Sequence, residues 1–151
     1  MVGSMIGLRT TSATAACAIL GLTAAAHAQS LDGDWTGQIT CAKLSFTTGT
    51  MKTTMDMKVD KGQASYSRDV YNKDGSRVVG NESGTGAVAA DGALTLTAIW
   101  KSAEEKPHYT YTATYGGKLA GQAGTLKGTQ IWSFDGKTEN RACSIALKRK
   151  G

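Results

Sequence analysis

The chain has 151 residues, a formal net charge of +5, and 19 glycines against a single proline. Its basic residues are dispersed apart from Lys148-Arg149-Lys150, which is typical of a solvated surface and predicts no nucleic-acid binding. Beyond residue 28, no apolar stretch is long enough to span a membrane as a helix.

The N-terminal segment, residues 1–28, has the three parts of a secretory signal peptide. Arg9 is its only charged residue, residues 13–26 are apolar or small, and Ala26-His27-Ala28 matches an A-x-A cleavage site. The apolar run is too short to cross a bilayer, so a membrane anchor is the less favoured interpretation. We predict a mature chain of residues 29–151 that is periplasmic or secreted.

Removing 28 of the 151 residues leaves a mature chain of 123, which suits a single domain with one core. Its two cysteines, Cys41 and Cys143, lie near opposite ends of that domain. In an exported protein the simplest interpretation is one disulfide, with two free buried thiols as the alternative. A bridge that closes a loop of about 100 residues stabilises a fold by roughly 4–5 kcal/mol in the chain-entropy model.

The mature sequence predicts an all-β domain, because alternating segments are separated by turn sequences and no stretch keeps a helical period. In the clearest strand, Met51–Val59, the odd-numbered residues are mostly apolar and the even-numbered residues are polar. The other predicted strands are Asp34–Cys41, Gln63–Tyr71, Arg77–Val88, Ala93–Lys101, His108–Tyr115, Leu126–Phe134 and Glu139–Arg149. The predicted turns are Asp60-Lys61-Gly62, Asp74-Gly75, Asp91-Gly92, Gly116-Gly117 and Asp135-Gly136. The segment Arg77–Val88 is rich in glycine, which predicts a β-bulge.

About eight antiparallel strands leave two open edges, and closing them into an up-and-down barrel removes both. If Cys41 lies opposite Cys143, the antiparallel register of the first and last strands follows from that one pair. The further pairs are Ile39 with Ile145, Gly37 with Leu147, and Trp35 with Arg149. Apolar partners then share one face, as a real pairing requires. We predict a barrel closed by the disulfide, with a β-sandwich as the alternative.

The opening Gly33-Asp34-Trp35 resembles the G-x-W motif of calycin-type barrels, the group that includes lipocalins, fatty-acid-binding proteins and avidins. In that group the tryptophan closes the bottom of the barrel and a basic residue of the last strand packs across it. The resemblance implies that Trp35 and Arg149 form this barrel-closing pair. The stretch from Tyr115 to Cys143 is also similar to small exported bacterial proteins of undefined role. The second and third lipocalin motifs and the biotin loop of avidins are not found, so no ligand is carried over.

No residue pattern predicts catalysis, a cofactor or a metal site. His108 is the only histidine of the mature chain, and we interpret it, with Glu104 and Glu105 around Pro107, as part of a solvated loop. The two cysteines are too far apart in sequence to suggest zinc ligands. An enzyme that uses the Glu104–His108 loop is the least favoured function.

The inward faces of the predicted strands collect aromatic residues that could line a small-ligand pocket: Trp100, Tyr109, Tyr111 and Trp132. Arg68 is the candidate polar anchor for such a ligand. We expect Arg68 and Glu82 to be diagonal neighbours that form a surface ion pair with Tyr66 outside; a buried pair at the polar end of a cavity is the alternative. An eight-stranded barrel either fills its interior with side chains, the more common outcome, or holds one small ligand.

We therefore expect a non-enzymatic, exported barrel that binds a small apolar or aromatic molecule in its interior. The runner-up is a protein-binding module, such as a periplasmic inhibitor or an envelope-assembly factor, that acts through its loops or an exposed edge. A cavity lined by the aromatic residues would favour the first function. A filled barrel with a large exposed apolar patch would favour the second.

Overall fold

A computed structural model describes residues 30–72, 75–103 and 109–151. These residues form eight strands: β1 (Gly33–Cys41), β2 (Met51–Asp60), β3 (Gln63–Tyr71), β4 (Val78–Val88), β5 (Ala93–Ser102), β6 (Tyr109–Ala120), β7 (Ala123–Phe134) and β8 (Lys137–Arg149). Each strand is antiparallel to the next, and β8 pairs with β1, so the sheet closes into a barrel. The predicted all-β barrel is confirmed and the β-sandwich alternative is wrong. Across the described ranges, no helix has the length and apolarity needed to cross a membrane.

The ladder between β1 and β8 has the register predicted from the two cysteines. Cys41 lies opposite Cys143, and the two form a disulfide with their Cα atoms 4.0 Å apart. The further pairs are Ile39 with Ile145, Gly37 with Leu147, and Trp35 with Arg149. A slip of one residue would turn every apolar side chain of β8 toward solvent, which is why the burial pattern and the disulfide specify the same register.

The hairpin between β6 and β7 turns later than predicted. Gly116-Gly117 lies inside β6, where Gly117 pairs with Leu94 on one side and with Leu126 on the other. The chain turns instead after Ala120, and Gly121 adopts a φ of 58° there. The prediction of a turn at Gly116-Gly117 is wrong because pairing with both neighbouring strands satisfies the backbone there and keeps the chain extended.

Strand β4 is rich in glycine because large aromatic side chains of the two neighbouring strands pack over it. A Cβ at the inward-facing Gly80 would come within 2.6 Å of the indole Nε1 of Trp100 on β5. A Cβ at Gly84 would overlap the ring of Tyr66 on β3. The small residues of β4 therefore make room for two aromatic side chains that reach into the barrel.

The barrel has two apolar layers with a polar layer between them. The lower layer includes Trp35, Leu96, Tyr115 and Leu126 and lies toward the end that carries the chain termini. The upper layer consists of Leu44, Trp100, Tyr111 and Trp132, with Tyr109 and Phe134 packed against it. We call the end of the barrel that carries the β1–β2 loop (residues 42–50) the upper end.

The lower end is closed by Trp35 and by the segment that precedes β1. Trp35 is fully buried, and its indole Nε1 donates a hydrogen bond to the carbonyl of Leu31 at 3.1 Å. Arg149, its register partner on β8, donates to the carbonyls of Ser30 at 3.0 Å and of Asp32. Arg149 thus ties the N-terminal segment across the bottom of the barrel, at the place where the calycin resemblance puts a basic residue.

Candidate functional site

Four of the five residues that the sequence suggests for ligand binding form one aromatic cluster at the upper end. Trp100 stacks on Tyr109 with ring centroids 4.7 Å apart, and Tyr111 stacks on Trp132 at 4.3 Å. Tyr111 and Trp132 are direct partners in the β6–β7 ladder, and alternation turns both side chains inward. The structure therefore brings these four aromatic residues together, with Tyr109 the least buried of them.

A loop residue, and not a strand residue, completes the upper end. Leu44 lies in the β1–β2 loop, and its side chain is buried in the same cluster as Trp100, Tyr111 and Trp132. The next residue, Ser45, binds the Glu139 carboxylate through its backbone N–H at 2.8 Å and its hydroxyl at 2.6 Å. Leu44 is thus a plug that two hydrogen bonds hold in place.

A fully buried carboxylate, that of Glu82, lies in the polar layer. It accepts hydrogen bonds from the hydroxyls of Tyr66 at 2.7 Å and Tyr111 at 2.6 Å, and it forms an ion pair with Arg68. The Tyr115 hydroxyl lies 3.4 Å from the same group. The carboxylate is therefore surrounded by donors, which is the condition under which a protein tolerates a buried charge.

The expectation of a surface ion pair with Tyr66 outside is wrong. Tyr66 is 6% exposed and the Glu82 side chain is completely buried. The β3–β4 register shifts between Val70 and Tyr71, which confirms the predicted bulge and leaves an extra residue in β4. Below the bulge Arg68 lies directly opposite Glu82, rather than diagonally, and both side chains point inward.

The polar layer continues across the barrel to β7 and β8. The Gln130 side chain donates to the Tyr115 hydroxyl at 2.8 Å and accepts from Trp132 Nε1 at 3.1 Å and from Arg141 Nε at 2.7 Å. The Arg141 guanidinium lies 4.8 Å from the centre of the Trp132 ring, and its Nη2 contacts the sulfur of Met51 at 3.4 Å. In the sequence, the only indication that Gln130 and Arg141 belong to a site is that alternation places a polar residue on the inward face of each predicted strand.

Burial keeps the three tyrosines of this layer protonated. Burial, and then the negative charge of Glu82, raise the pKa values of Tyr66, Tyr111 and Tyr115 above the usual value of tyrosine. A protonated phenol can donate to a carboxylate, whereas a phenolate would repel it. The tyrosines are therefore fixed as donors to the interior.

The layer holds two guanidinium groups and one carboxylate. Although burial alone would lower it, the Glu82 carboxylate raises the pKa of Arg68. Burial lowers the pKa of Arg141; Tyr111, Tyr115 and the Glu82 carboxylate oppose that effect, and the charge of Arg68 adds a smaller lowering. Within the part of the chain that the structure describes, Arg141 forms no ion pair with a carboxylate. The described interior therefore has one more positive than negative charge.

Two buried donors next to Glu82 have no hydrogen-bond acceptor among the described residues: Nε of Arg68 and Nε1 of Trp100. These residues flank Glu82 on either side, one on β3 and one on β5. Leaving a buried donor unpaired costs about 1–3 kcal/mol, so an acceptor that reached them would be bound favourably.

Two depressions lie on the outer wall and are not lined by the four aromatic residues. One of about 380 Å³ runs along β1, β2 and β3, and another of about 390 Å³ lies beside the disulfide. The upper end, in contrast, is packed by its own rings and by Leu44. These depressions therefore do not supply the aromatic-lined cavity that would favour a small-ligand function, and a ligand at the upper end would have to displace the Leu44 plug.

Metal ligands are not grouped in the described ranges: no three His, Cys, Asp or Glu residues there are placed to hold an ion. The Glu104–His108 loop considered in the sequence lies outside the described residues, as does the N-terminal segment 1–28.

No family model and no curated protein matches the chain. Among solved structures, the barrel is similar to the ywiB protein from Bacillus subtilis, with a TM-score of 0.44 and 9% identity over 80% of this chain and 94% of that one. It is also similar to Rv2717c from M. tuberculosis, with a TM-score of 0.40 and 11% identity over 80% of this chain and 93% of that one. The strand order of the chain itself shows a small, eight-stranded antiparallel barrel, while the calycin resemblance stays a prediction. We infer function from the geometry of the interior alone.

Proposed function

We propose that the protein is an exported, non-enzymatic barrel that binds a small aromatic or apolar molecule at the upper end of its interior. The observation that supports this most directly is the cluster of Trp100, Tyr109, Tyr111 and Trp132 covered by a loop side chain. Strand residues build the wall of the site and a loop segment closes it. Such an arrangement suits a molecule that must enter and leave.

In the proposed complex, the ligand takes the place of the Leu44 plug. The β1–β2 loop is held at Ser45 by two hydrogen bonds to Glu139, and its Phe46 packs on Trp132 and Phe134, so the ligand must replace these contacts when the loop moves. An aromatic ligand that buries roughly 250 Å² would gain about 6 kcal/mol at 25 cal/mol per Å², before entropy costs. Burial alone therefore gives micromolar binding at best.

Polar anchors would orient the ligand. Arg68 Nε and Trp100 Nε1 are buried donors without an acceptor among the described residues, and an oxygen of the ligand would satisfy either one. The proposal of export draws support from the Cys41–Cys143 disulfide, since such bridges persist in oxidising compartments.

The test is calorimetric titration with naphthalene-1-acetamide, an uncharged aromatic probe, of the mature wild-type protein and two variants. Trp100→Ala removes one wall of the site and should weaken binding at least tenfold, which is about 1.4 kcal/mol. Thr97→Ala, on the outer face of the same strand, should leave binding unchanged. Equal affinity in both variants, with near-UV circular dichroism showing both folded, would overturn the proposal.

One observation favours the second candidate, a protein-binding module such as an inhibitor or an envelope-assembly factor. Phe46 and Tyr71 are 47% and 57% exposed, and Val78, the register partner of Tyr71, is 38% exposed. All three lie at the upper end, where they form part of an apolar rim. A periplasmic protein that co-purifies with the wild type, and is lost from a Phe46→Ser, Tyr71→Ser variant that still binds the probe, would favour this candidate.

A further inference from the structure

We infer that the ligand of the upper end is an aromatic molecule with a single negative charge, a carboxylate, and that Arg141 binds that charge. This inference rests on the proposed function, because it assumes that the aromatic cluster of Trp100, Tyr109, Tyr111 and Trp132 is a binding site. It adds the chemical class of the ligand and the residue that selects it.

The charge balance of the interior supports an anion. Glu82 forms its ion pair with Arg68 and accepts from Tyr66 and Tyr111; its charge also acts on Arg141, but among the described residues no ion pair joins the two. Arg141 is 5% exposed and, among the described residues, has no carboxylate partner. A buried cation without a counter-charge is unfavourable, and one negative charge would restore neutrality.

The partners that Arg141 does have are weak. Its Nε donates to a neutral amide oxygen of Gln130, and its Nη2 donates to the thioether sulfur of Met51, a poor acceptor. A carboxylate offers a charge-assisted, bidentate partner to a guanidinium, about twice as strong as a neutral one. Arg141 therefore has the charge and the planar fork to exchange a weak partner for a stronger one.

The position of Arg141 connects this charge to the aromatic site. Its guanidinium packs on the ring of Trp132, which belongs to the proposed wall. Met51, its sulfur partner, is the first residue of β2 and directly follows the loop that carries Leu44. An aromatic ring that took the place of Leu44 beside Trp132, whose ring already contacts Tyr111 and Arg141, would bring a short acidic side chain to Arg141. Burial lowers the pKa of Arg141, the Glu82 carboxylate already opposes part of that effect, and a bound anion would oppose it further.

The test compares two probes that differ only in charge, naphthalene-1-acetate and naphthalene-1-acetamide, by calorimetry at neutral pH. The wild type should bind the acid at least tenfold more tightly than the amide. Arg141→Gln should reduce that ratio to about one. Lys101→Gln, which removes a positive charge from the outer face of β5, is the matched control and should keep the wild-type ratio.

The outcomes separate the two proposals. If neither probe binds, the proposed function fails. If the wild type binds both probes equally, the aromatic site stands and the inference of an anionic ligand is overturned. A preference for the acid that survives in folded Arg141→Gln would overturn the role of Arg141. Should Arg141→Gln not fold, Arg141→Lys replaces it: a point charge without the planar fork should give a preference between one and the wild-type value, and an unchanged value would contradict the assignment.

Discussion

Arg68 and Glu82 lie opposite each other on β3 and β4 and form an ion pair inside the barrel, with side-chain exposures of 10% and 0%. The carboxylate also accepts from Tyr66 on the adjacent strand β3 and from Tyr111 on β6, which lies one strand beyond the other neighbour, β5. Arg141, in the same layer, has only neutral partners. The two interior arginines therefore differ in role, since one compensates a buried charge and the other is itself uncompensated.

This difference predicts unequal effects on stability. Arg68→Gln leaves Glu82 buried without a counter-charge, so we expect the free energy of unfolding to fall by about 3–5 kcal/mol. Arg141→Gln removes an uncompensated charge and keeps a side chain that can donate to Gln130, so we expect a change of about 1 kcal/mol or less. Urea denaturation of both variants measures this. Equal losses would contradict an interior in which Arg68 is paired and Arg141 is not.

The three interior tyrosines predict steep alkaline unfolding. Their pKa values are raised in the folded barrel above the ordinary value of 10.0, so the folded state holds these protons more tightly than the unfolded chain does. The stabilisation is fully present below pH 10, and it declines above pH 10 by about 1.4 kcal/mol per pH unit for each tyrosine.

Tyrosinate absorbance recorded with circular dichroism tests this expectation. The chain has 5 tyrosines, so no more than two should ionise before the barrel unfolds. Ionisation of three or more in the folded state would show that at least one of the phenols of Tyr66, Tyr111 and Tyr115 is accessible to solvent, which contradicts a closed polar layer.

Shortening the plug predicts opposite changes in stability and binding. Leu44→Ala removes a buried side chain and should lower the free energy of unfolding by about 2–3 kcal/mol. The same change vacates space at the aromatic cluster, so naphthalene-1-acetamide should bind more tightly, by roughly threefold or more. Leu126→Ala makes the same truncation in the lower layer and should cost stability without raising affinity. An equal gain in affinity for the probe in both variants would show that the probe does not bind at the upper end.

Export predicts the covalent state of the mature protein. Expressed in a secreting host, the protein should begin at Gln29, and its intact mass should be two hydrogens below that of the reduced chain because of the Cys41–Cys143 bridge. Mass spectrometry of the protein in the periplasmic fraction measures both its N-terminal residue and its disulfide. An intact Met1 on soluble, folded protein would contradict the signal peptide.

The sequence predicts the wall of the barrel better than its interior chemistry. Alternation places Trp100, Tyr111 and Trp132 on inward faces, and one cysteine pair is enough to set the β1–β8 register, because both follow from local periodicity. The burial of Arg68 with Glu82 depends on a bulge and on phenols from two other strands, which no local pattern encodes. Leu44 belongs to a loop, where periodicity gives no information, so its role as the plug emerges only in three dimensions.

The measurement that tests the central claim most directly uses the three tryptophans of the chain as reporters. Trp100 and Trp132 line the proposed site, while Trp35 lies at the lower end with its indole N–H bonded to the Leu31 carbonyl. In ¹H–¹⁵N correlation spectra of the mature protein, assigned with single Trp→Phe variants, added naphthalene-1-acetamide should shift the indole signals of Trp100 and Trp132 and leave that of Trp35 in place. Shifts confined to Trp35, or no shift of any indole at millimolar probe, would contradict a ligand site at the upper end of the barrel.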